Sequence, residues 1–218
     1  MYSTDLTKIK LYDFLETLKT VQLLPSHRIL LTDIDLNFKK LNSFGINNLA
    51  EIQKLLKNKN EHSTISKKLD IKTEYLIILN RVVNSYVVKS ISLDKIGIFN
   101  DEELTFLKNR KLISTQNYYE HFVKKQSINE ISKDKLIYAL QIIDLLRING
   151  VGIEYAKILY EIGIKSVEDY KNTKSETILQ KFKEVNDIKK LTKSNLGIND
   201  IDYCRRFCEK LDCEIESI

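Results

Sequence analysis

Apolar residues recur with helical spacing along most of the chain. An early stripe, Leu11, Phe14, Leu15 and Leu18, ends before Pro25. Two longer stripes follow: Tyr75, Ile78, Leu79, Val82, Val83 and Tyr86, then Leu136, Ala139, Leu140, Ile143 and Leu146. This spacing predicts helices that bury one face. The β-branched stretch from Val82 to Val88 has no second such run beside it, so we interpret it as a buried helix end and predict an all-α fold.

A shorter unit recurs between the long stripes. A shift of 52 residues places Leu93, Ile96, Glu102, Leu107, Ser114 and Tyr118 on Leu145, Ile148, Glu154, Leu159, Ser166 and Tyr170. A fainter third copy matches Leu41, Gly45, Ile46 and Ile52 to Leu159, Gly163, Ile164 and Tyr170. These matches predict tandem helical units linked by longer helices. We divide the chain into residues 1–90, a helical N-terminal segment with the first, degenerate unit, and residues 91–218, the second and third units with a C-terminal helix.

Local signals predict how the short helices begin and end. The segment 100–103, Asn-Asp-Glu-Glu, has the capping residue and the acidic first turn of a helix start, with glutamate at the capping-box position. Gly45 and Gly163 follow apolar helical residues and suit the left-handed position that ends a helix. Ser166 and Asn47 are then the predicted caps of the helices that follow.

One segment, residues 145–159, carries the most distinctive pattern. Its Gly-Val-Gly stretch, Gly150–Gly152, permits a tight turn between two apolar helices, with positive φ available at both glycines. We expect Ile148, Val151, Ala156 and Leu159 to face one another where the two helices cross. Ala156 is small, which allows the helices to approach closely at that point.

This segment resembles the helix-hairpin-helix motif, whose pattern is an apolar residue, a Gly-apolar-Gly turn, and an alanine and a leucine in the second helix. In that family, backbone N–H groups of the turn hold a DNA phosphate. A helix N-terminus and a concave run of amides both favour an anion. By resemblance, the phosphate-binding amides are those of Gly150, Val151 and Gly152, with Asn149 beside them. Such contacts position a duplex without reading its sequence.

The resemblance extends beyond the turn, with one departure. Where DNA-binding members often carry lysine or arginine, this chain has Glu154, and Lys157 lies about one turn further on. The continuation, residues 159–170, is similar to the C-terminal domain of the bacterial RNA polymerase α subunit. Over residues 143–180, and more faintly over about 28–142, the chain is similar to an uncharacterised bacterial domain family of tandem helix-hairpin-helix units. That family often has an acid at the position of Glu154 and implies no established activity.

Charge is unevenly distributed along the chain. The total of 35 Lys+Arg against 30 Asp+Glu gives +5. Residues 39–125 hold 16 basic and 9 acidic side chains, whereas residues 143–218 hold 13 and 14. A basic middle is compatible with a nucleic-acid footprint, and equally with an ordinary solvated surface. Lys108, Arg110 and Lys111 of the second unit are the basic residues that we add to the candidate site.

Several classes of protein are disfavoured by the sequence. No apolar run approaches the ~20 residues of a membrane-spanning helix, so no membrane partner is expected. The segment Met1–Asp5 lacks the charged-then-apolar pattern of an export signal, so a cytoplasmic location is expected. The cysteines, Cys204, Cys208 and Cys213, lack the partners of a zinc site, and the histidines are scattered. No motif of a known catalytic class occurs. We therefore predict no metal, no cofactor and no enzymatic activity.

Two hypotheses of different kinds follow. The first is binding to nucleic acid, in particular duplex DNA, without sequence specificity. The second is a protein-interaction scaffold, because the first two units lack the double glycine; an accessory subunit of a DNA-processing complex, whose partner supplies the chemistry, is a further alternative. The sequence does not indicate an oligomeric state.

Overall fold

The chain folds into helices. The computed structural model describes residues 1–21, 23–124, 126–190 and 196–215, and within these ranges it contains two isolated β-bridges and no sheet. The predicted all-α class is therefore confirmed. The chain forms two compact units. The N-terminal unit is Asp5–Val87, and the C-terminal unit combines Met1–Thr4 with residues 88–218.

The N-terminal unit is built around aromatic and aliphatic side chains. Its helices are α1 (Leu11–Thr20), α2 (Ile34–Ser43), α3 (Leu49–Leu55), α4 (His62–Leu69) and α5 (Thr73–Ser85), with 3₁₀ turns at Pro25–Leu31 and Lys59–Glu61. The ring of Phe14 lies 6.0 Å from that of Phe38 and 5.6 Å from that of Tyr86, between centroids. Val82 and Val83 are buried within α5, which confirms the interpretation of that stretch as a helix end.

The C-terminal unit contains the longer part of the chain. After a 3₁₀ turn at Leu93–Ile96, its helices are α6 (Asp101–Asn109), α7 (Thr115–Val123), α8 (Lys133–Leu145), α9 (Ile153–Glu161), α10 (Val167–Asn172), α11 (Ser175–Lys189) and α12 (Ile198–Cys208). Helix α7 packs on α8, α8 packs on α9, and α12 packs on α10 and α11. This arrangement brings α12 to the segment between α8 and α9.

The sequence repeat corresponds to a recurring backbone structure. Helices α6 and α9 begin 52 residues apart, as do α7 and α10. The same main-chain hydrogen bond ends the first helix of each pair: Ile46 N–H to Leu41 O (3.1 Å), Leu112 N–H to Leu107 O (2.9 Å) and Ile164 N–H to Leu159 O (2.9 Å). The residue before each donor is left-handed: Gly45 at φ 93°, Lys111 at φ 63° and Gly163 at φ 89°. The shared pattern is the one that commonly ends a helix at a glycine.

The predicted caps are confirmed at two of three positions. Asn100 and Glu103 form a reciprocal capping box, with distances of 2.8 and 2.9 Å between each backbone nitrogen and the partner's side-chain oxygen. Ser166 accepts a bond from the N–H of Asp169 at 3.0 Å. The prediction for Asn47 is wrong. Its neighbour Asn48 caps α3, while the Asn47 side chain donates to the carbonyl of Gly45.

Candidate nucleic-acid interface

The hairpin turn, residues 146–152, joins α8 to α9. Gly150 has φ 95°, a left-handed conformation that glycine adopts without strain, and a Cβ added there would lie 3.3 Å from Cys204 Sγ. Gly152 has φ −90° and open space around its Cβ position, and it is the N-cap of α9. The expectation of positive φ at both glycines therefore holds for Gly150 alone.

The apolar residues of the turn form its inner face. Ile148, Val151, Ala156 and Leu159 are all buried, as predicted. Ala156 is fully buried near the start of α9, where a larger side chain would push the two helices apart. The apolar side chains are thus directed inward, and the two glycines of the turn stay exposed.

Two of the three predicted amides have no internal hydrogen-bond acceptor in the part of the chain that the structure describes. The N–H of Val151 donates to the carbonyl of Ile148 at 3.0 Å, so its assignment as a phosphate donor is corrected. Gly150 and Gly152 are exposed, and their N–H groups have no acceptor among the described residues. Because these amides belong to the turn and to the start of α9, they form a small positive region.

Helix α12 covers one side of the hairpin turn. The side-chain amide of Asn149 donates to the hydroxyl of Tyr203 at 2.8 Å, and the thiol of Cys204 donates to the carbonyl of Asn149 at 3.2 Å. Burial raises the pKa of the Cys204 thiol to about 11. Asn149, which the resemblance places beside the phosphate, thus attaches the turn to α12.

The charged side chains of α9 partly neutralise each other. Glu154 lies in the first turn of the helix, and its carboxylate is 3.5 Å from the ammonium group of Lys157. Both groups are partly exposed, so the ion pair is weak and can exchange for another partner. Lys157 therefore lies beside Glu154, about one turn into α9.

The basic residues of the second unit occupy a different part of the repeat. Lys108, Arg110 and Lys111 are exposed at the C-terminal end of α6, whereas the hairpin turn precedes the equivalent helix, α9. Arg110 lies 3.1 Å from Glu130 and stacks over the Phe106 ring at 4.8 Å. The two sets of predicted site residues therefore lie at opposite ends of their repeat units.

In the second unit, the backbone N–H at the position equivalent to Gly152 is bonded to a carboxylate of the same chain. Asn100 stands at the position of Gly152, and its N–H donates to the Glu103 carboxylate at 2.9 Å. A hydrogen bond from Lys135 to the same carboxylate holds the pKa of Glu103 below its usual range. In the third unit the residue equivalent to Glu103 is Tyr155, whose hydroxyl instead lies 3.0 Å from that of Tyr170. The N–H of Gly152 thus lacks, among the described residues, the carboxylate partner that the N–H of Asn100 has in the second unit.

Sequence reasoning missed a buried ion pair beneath the hairpin turn. Arg147 is 1% exposed, and its Nη1 donates to Asp144 Oδ1 at 2.5 Å. The other oxygen of Asp144 accepts the N–H of Val167 at 2.7 Å. Burial raises the pKa of the Asp144 carboxyl, and the Arg147 guanidinium opposes that shift. The only signal in the sequence was an acid and a base three residues apart at the end of an apolar helix.

The remaining donors of Arg147 bind distant parts of the same unit. Its Nε donates to the carbonyl of Tyr2 at 2.9 Å, and its Nη2 donates to the carbonyl of Asp212 at 2.8 Å. Its Nη1 also donates to the hydroxyl of Tyr119, which is fully buried. Arg147 is therefore structural and unavailable to a ligand.

Metal-ligand clusters and membrane-spanning helices are both absent from the described part of the chain. No group of three or more His, Cys, Asp or Glu side chains is arranged to hold a metal ion there. None of its helices is long and apolar enough to cross a membrane.

The fold and the turn together define an all-α protein in which pairs of short helices recur and an exposed glycine turn precedes one of these pairs. Residues 88–210, more than half of the chain, match a family model described as a domain of unknown function, DUF4332. The chain belongs to this family. Comparison with curated proteins and with solved structures gives no match. The resemblance to helix-hairpin-helix proteins and to the RNA polymerase α subunit stays a prediction.

Proposed function

We propose that the protein binds nucleic acid, in particular duplex DNA, through phosphate contacts at the hairpin turn, without sequence specificity and without catalysis. The observation that carries this proposal is that Gly150 and Gly152 are exposed and that their N–H groups have no acceptor among the described residues. Backbone amides at the start of a helix bind phosphate because they combine hydrogen bonding with the positive end of the helix dipole. They contact no base edge, so they give no sequence discrimination.

The second unit supports this proposal by comparison. At the position equivalent to Gly152, the N–H of Asn100 holds a carboxylate 2.9 Å away. The same backbone geometry in the third unit lacks that internal anion, so a phosphate oxygen can take its place. Lys157 adds a nearby cation, and Lys108, Arg110 and Lys111 add positive charge elsewhere on the C-terminal unit. Neither Asn149 nor Val151 donates to the phosphate in this proposal.

A matched pair of substitutions at Gly152 tests the site. The Cβ position is open, and asparagine and aspartate are both good helix caps, so Gly152→Asn and Gly152→Asp should fold. The aspartate places a negative charge beside the bound phosphate. We expect Gly152→Asp to weaken binding to random duplex DNA by about fivefold or more, and Gly152→Asn to bind within about twofold of the parent.

The measurement is fluorescence anisotropy with labelled duplex DNA over a salt series. Affinity should fall by about 0.9 log units per log unit of salt for each phosphate neutralised. An absence of binding at ~50 mM salt, or equal affinities for the aspartate and asparagine variants, would contradict the proposal.

A second candidate function is a protein-interaction scaffold or an accessory subunit of a DNA-processing complex. The scaffold hypothesis is favoured by Glu103, whose carboxylate accepts the N–H of Asn100 in the second unit. That unit keeps its fold although this N–H is not open to an external anion. A partner retained by the parent protein after nuclease treatment, and equally by Gly152→Asp, would support this function. A partner released by nuclease would count against it.

A further inference from the structure

A groove with both polar and apolar lining residues lies in the N-terminal unit, between the start of α1, one face of α2 and the turn before α3. Its volume is about 630 Å³, within the roughly 300–1,000 Å³ of small-ligand clefts. Its polar lining includes Lys10, Tyr12, Lys39, Asn42 and Asn48. None of these residues belongs to the hairpin turn or to the C-terminal unit.

The groove carries unpaired positive charge. Lys10 and Lys39 are exposed, and neither ammonium group has a carboxylate partner in the part of the chain that the structure describes. The acidic residue of the lining, Asp35, lies 2.6 Å from the ammonium group of Lys19 and is neutralised by it. The groove is therefore suited to an anionic ligand.

The aromatic ring in the groove is unusually open for this protein. Tyr12 is 69% exposed, and its hydroxyl has no hydrogen-bond partner among the described residues. Most of the other tyrosines for which burial is described are buried: Tyr2, Tyr75, Tyr86, Tyr118, Tyr119 and Tyr170. A solvent-exposed ring in the same groove as two ammonium groups can stack on a planar base while the cations attract its phosphate.

We propose that this groove binds a nucleoside phosphate unit. The ring of Tyr12 stacks on the base, and Lys10 and Lys39 bind the phosphate. Among the residues that the structure describes, the side-chain amide of Asn42 has no partner, and the NH₂ of Asn48 has none while its oxygen caps α3. These two groups supply the hydrogen bonds for a base edge. A free nucleotide and a single-stranded nucleic acid present the same chemistry, and the experiment distinguishes them.

The test uses the full chain with two probes, thymidine 5′-monophosphate and a short labelled oligothymidylate, at ~50 mM salt. We expect Tyr12→Ala to weaken binding roughly five- to 150-fold, the range for loss of one base-aromatic stack. Tyr12→Phe should bind like the parent because it keeps the ring. Lys10→Gln and Lys39→Gln should each weaken binding and reduce its salt dependence.

Matched controls use residues of the same unit outside the groove lining. Phe44→Ala removes an aromatic ring that is 48% exposed, and Lys57→Gln removes an exposed lysine. Both should bind both probes within about twofold of the parent, because neither touches the groove. Gly152→Asp should also leave this binding unchanged, so failure here is distinguishable from failure of the duplex-binding proposal.

The relative affinities of the probes identify the source of the ligand. Equal affinity for the two probes assigns the groove to free nucleotides, and much tighter binding of the oligonucleotide assigns it to single strands. No binding of either probe overturns the proposal. It is also overturned if inorganic phosphate competes fully and Tyr12→Ala binds as well as the parent, because the site would then hold an anion without a base.

Discussion

At the scale of single residues, Arg147 shows how one side chain can stabilise a whole unit. Its guanidinium satisfies its donors with the Asp144 carboxylate, the Tyr119 hydroxyl and three backbone carbonyls. A buried charge is tolerable when every donor and acceptor is paired in this way. The pair also fixes α10, because Asp144 accepts the N–H of Val167 at that helix's first residue.

Removal of Arg147 should therefore be strongly destabilising. Arg147→Met keeps most of the side-chain volume but leaves Asp144 buried without its counter-charge. We expect the free energy of unfolding to fall by about 3–5 kcal/mol, measured by urea denaturation. The exposed Arg206→Met should change it by less than about 0.5 kcal/mol. Equal losses in the two variants would contradict the structural role of Arg147.

The same variant gives a prediction for pH dependence. Burial raises the pKa of Asp144 above its ordinary 3.8, and without Arg147 only the hydrogen bond from the Val167 N–H is left to oppose that shift. The folded state then binds a proton more tightly than the unfolded state. The loss of free energy of unfolding caused by Arg147→Met should be smallest at pH values below the ordinary pKa of Asp144. It should grow as the pH rises through the raised pKa of Asp144 in the folded variant. Urea denaturation at several pH values checks this, and a pH-independent difference between variant and parent would contradict it.

At the scale of elements, the sequence predicted what local signals determine. The long apolar stripes, the capping box of Asn100 and the left-handed Gly45 and Gly163 depend on residues a few positions apart, and all are observed. The contacts that the sequence did not indicate are long-range. Cys204 meets Asn149 across 55 residues, and Arg147 meets Tyr2 across 145. No periodicity or motif encodes such pairs in a single sequence.

The candidate site divides in the same way. Its position and its buried apolar residues follow from the glycine turn. The Val151 N–H is bonded within the turn itself, to the carbonyl of Ile148. The Asn149 side chain is bonded to Tyr203 of α12, a contact that the turn sequence does not encode. Whether the turn binds phosphate stays a prediction.

The repeat also exposes a mismatch at one helix end. Lys111 has φ 63° at the position where the other copies have glycine. A left-handed conformation costs a non-glycine residue about 1–2 kcal/mol, and the extra unfolded-state freedom of glycine offsets about 0.4–1 kcal/mol. Lys111→Gly should stabilise the protein by roughly 0.5–1 kcal/mol, measured by urea denaturation. Lys108→Gly, inside α6, should destabilise it by about 0.5–1 kcal/mol. Stabilisation by both or by neither would contradict this account.

At the scale of the whole molecule, the C-terminal unit includes residues from far outside the segment that matches the family model. The match covers residues 88–210, yet Met1–Thr4 belong to the same compact unit. Tyr2 is 1% exposed, its hydroxyl lies 2.8 Å from that of Thr115, and its ring packs edge-on against Tyr119 at 5.7 Å. The core of this unit is thus completed by the first residues of the chain.

Tyr2 should therefore contribute to the stability of α7 and α8, which follow it by more than a hundred residues. Tyr2→Ala removes a buried aromatic ring, so we expect the free energy of unfolding to fall by about 3–5 kcal/mol. Tyr2→Phe loses only the hydroxyl, which bonds with Thr115 at 2.8 Å and donates to the carbonyl of Lys89 at 3.5 Å, so we expect a fall of about 0.5–1.5 kcal/mol. Hydrogen exchange checks this, because amides of α7 and α8 should lose protection in proportion to those losses. The exposed Tyr12→Ala should leave the same amides unchanged. If Tyr2→Ala also left the exchange of these amides unchanged, residues 1–4 would lie on the surface of the unit and would not be part of its core. The core would then be formed by the residues of the family match alone.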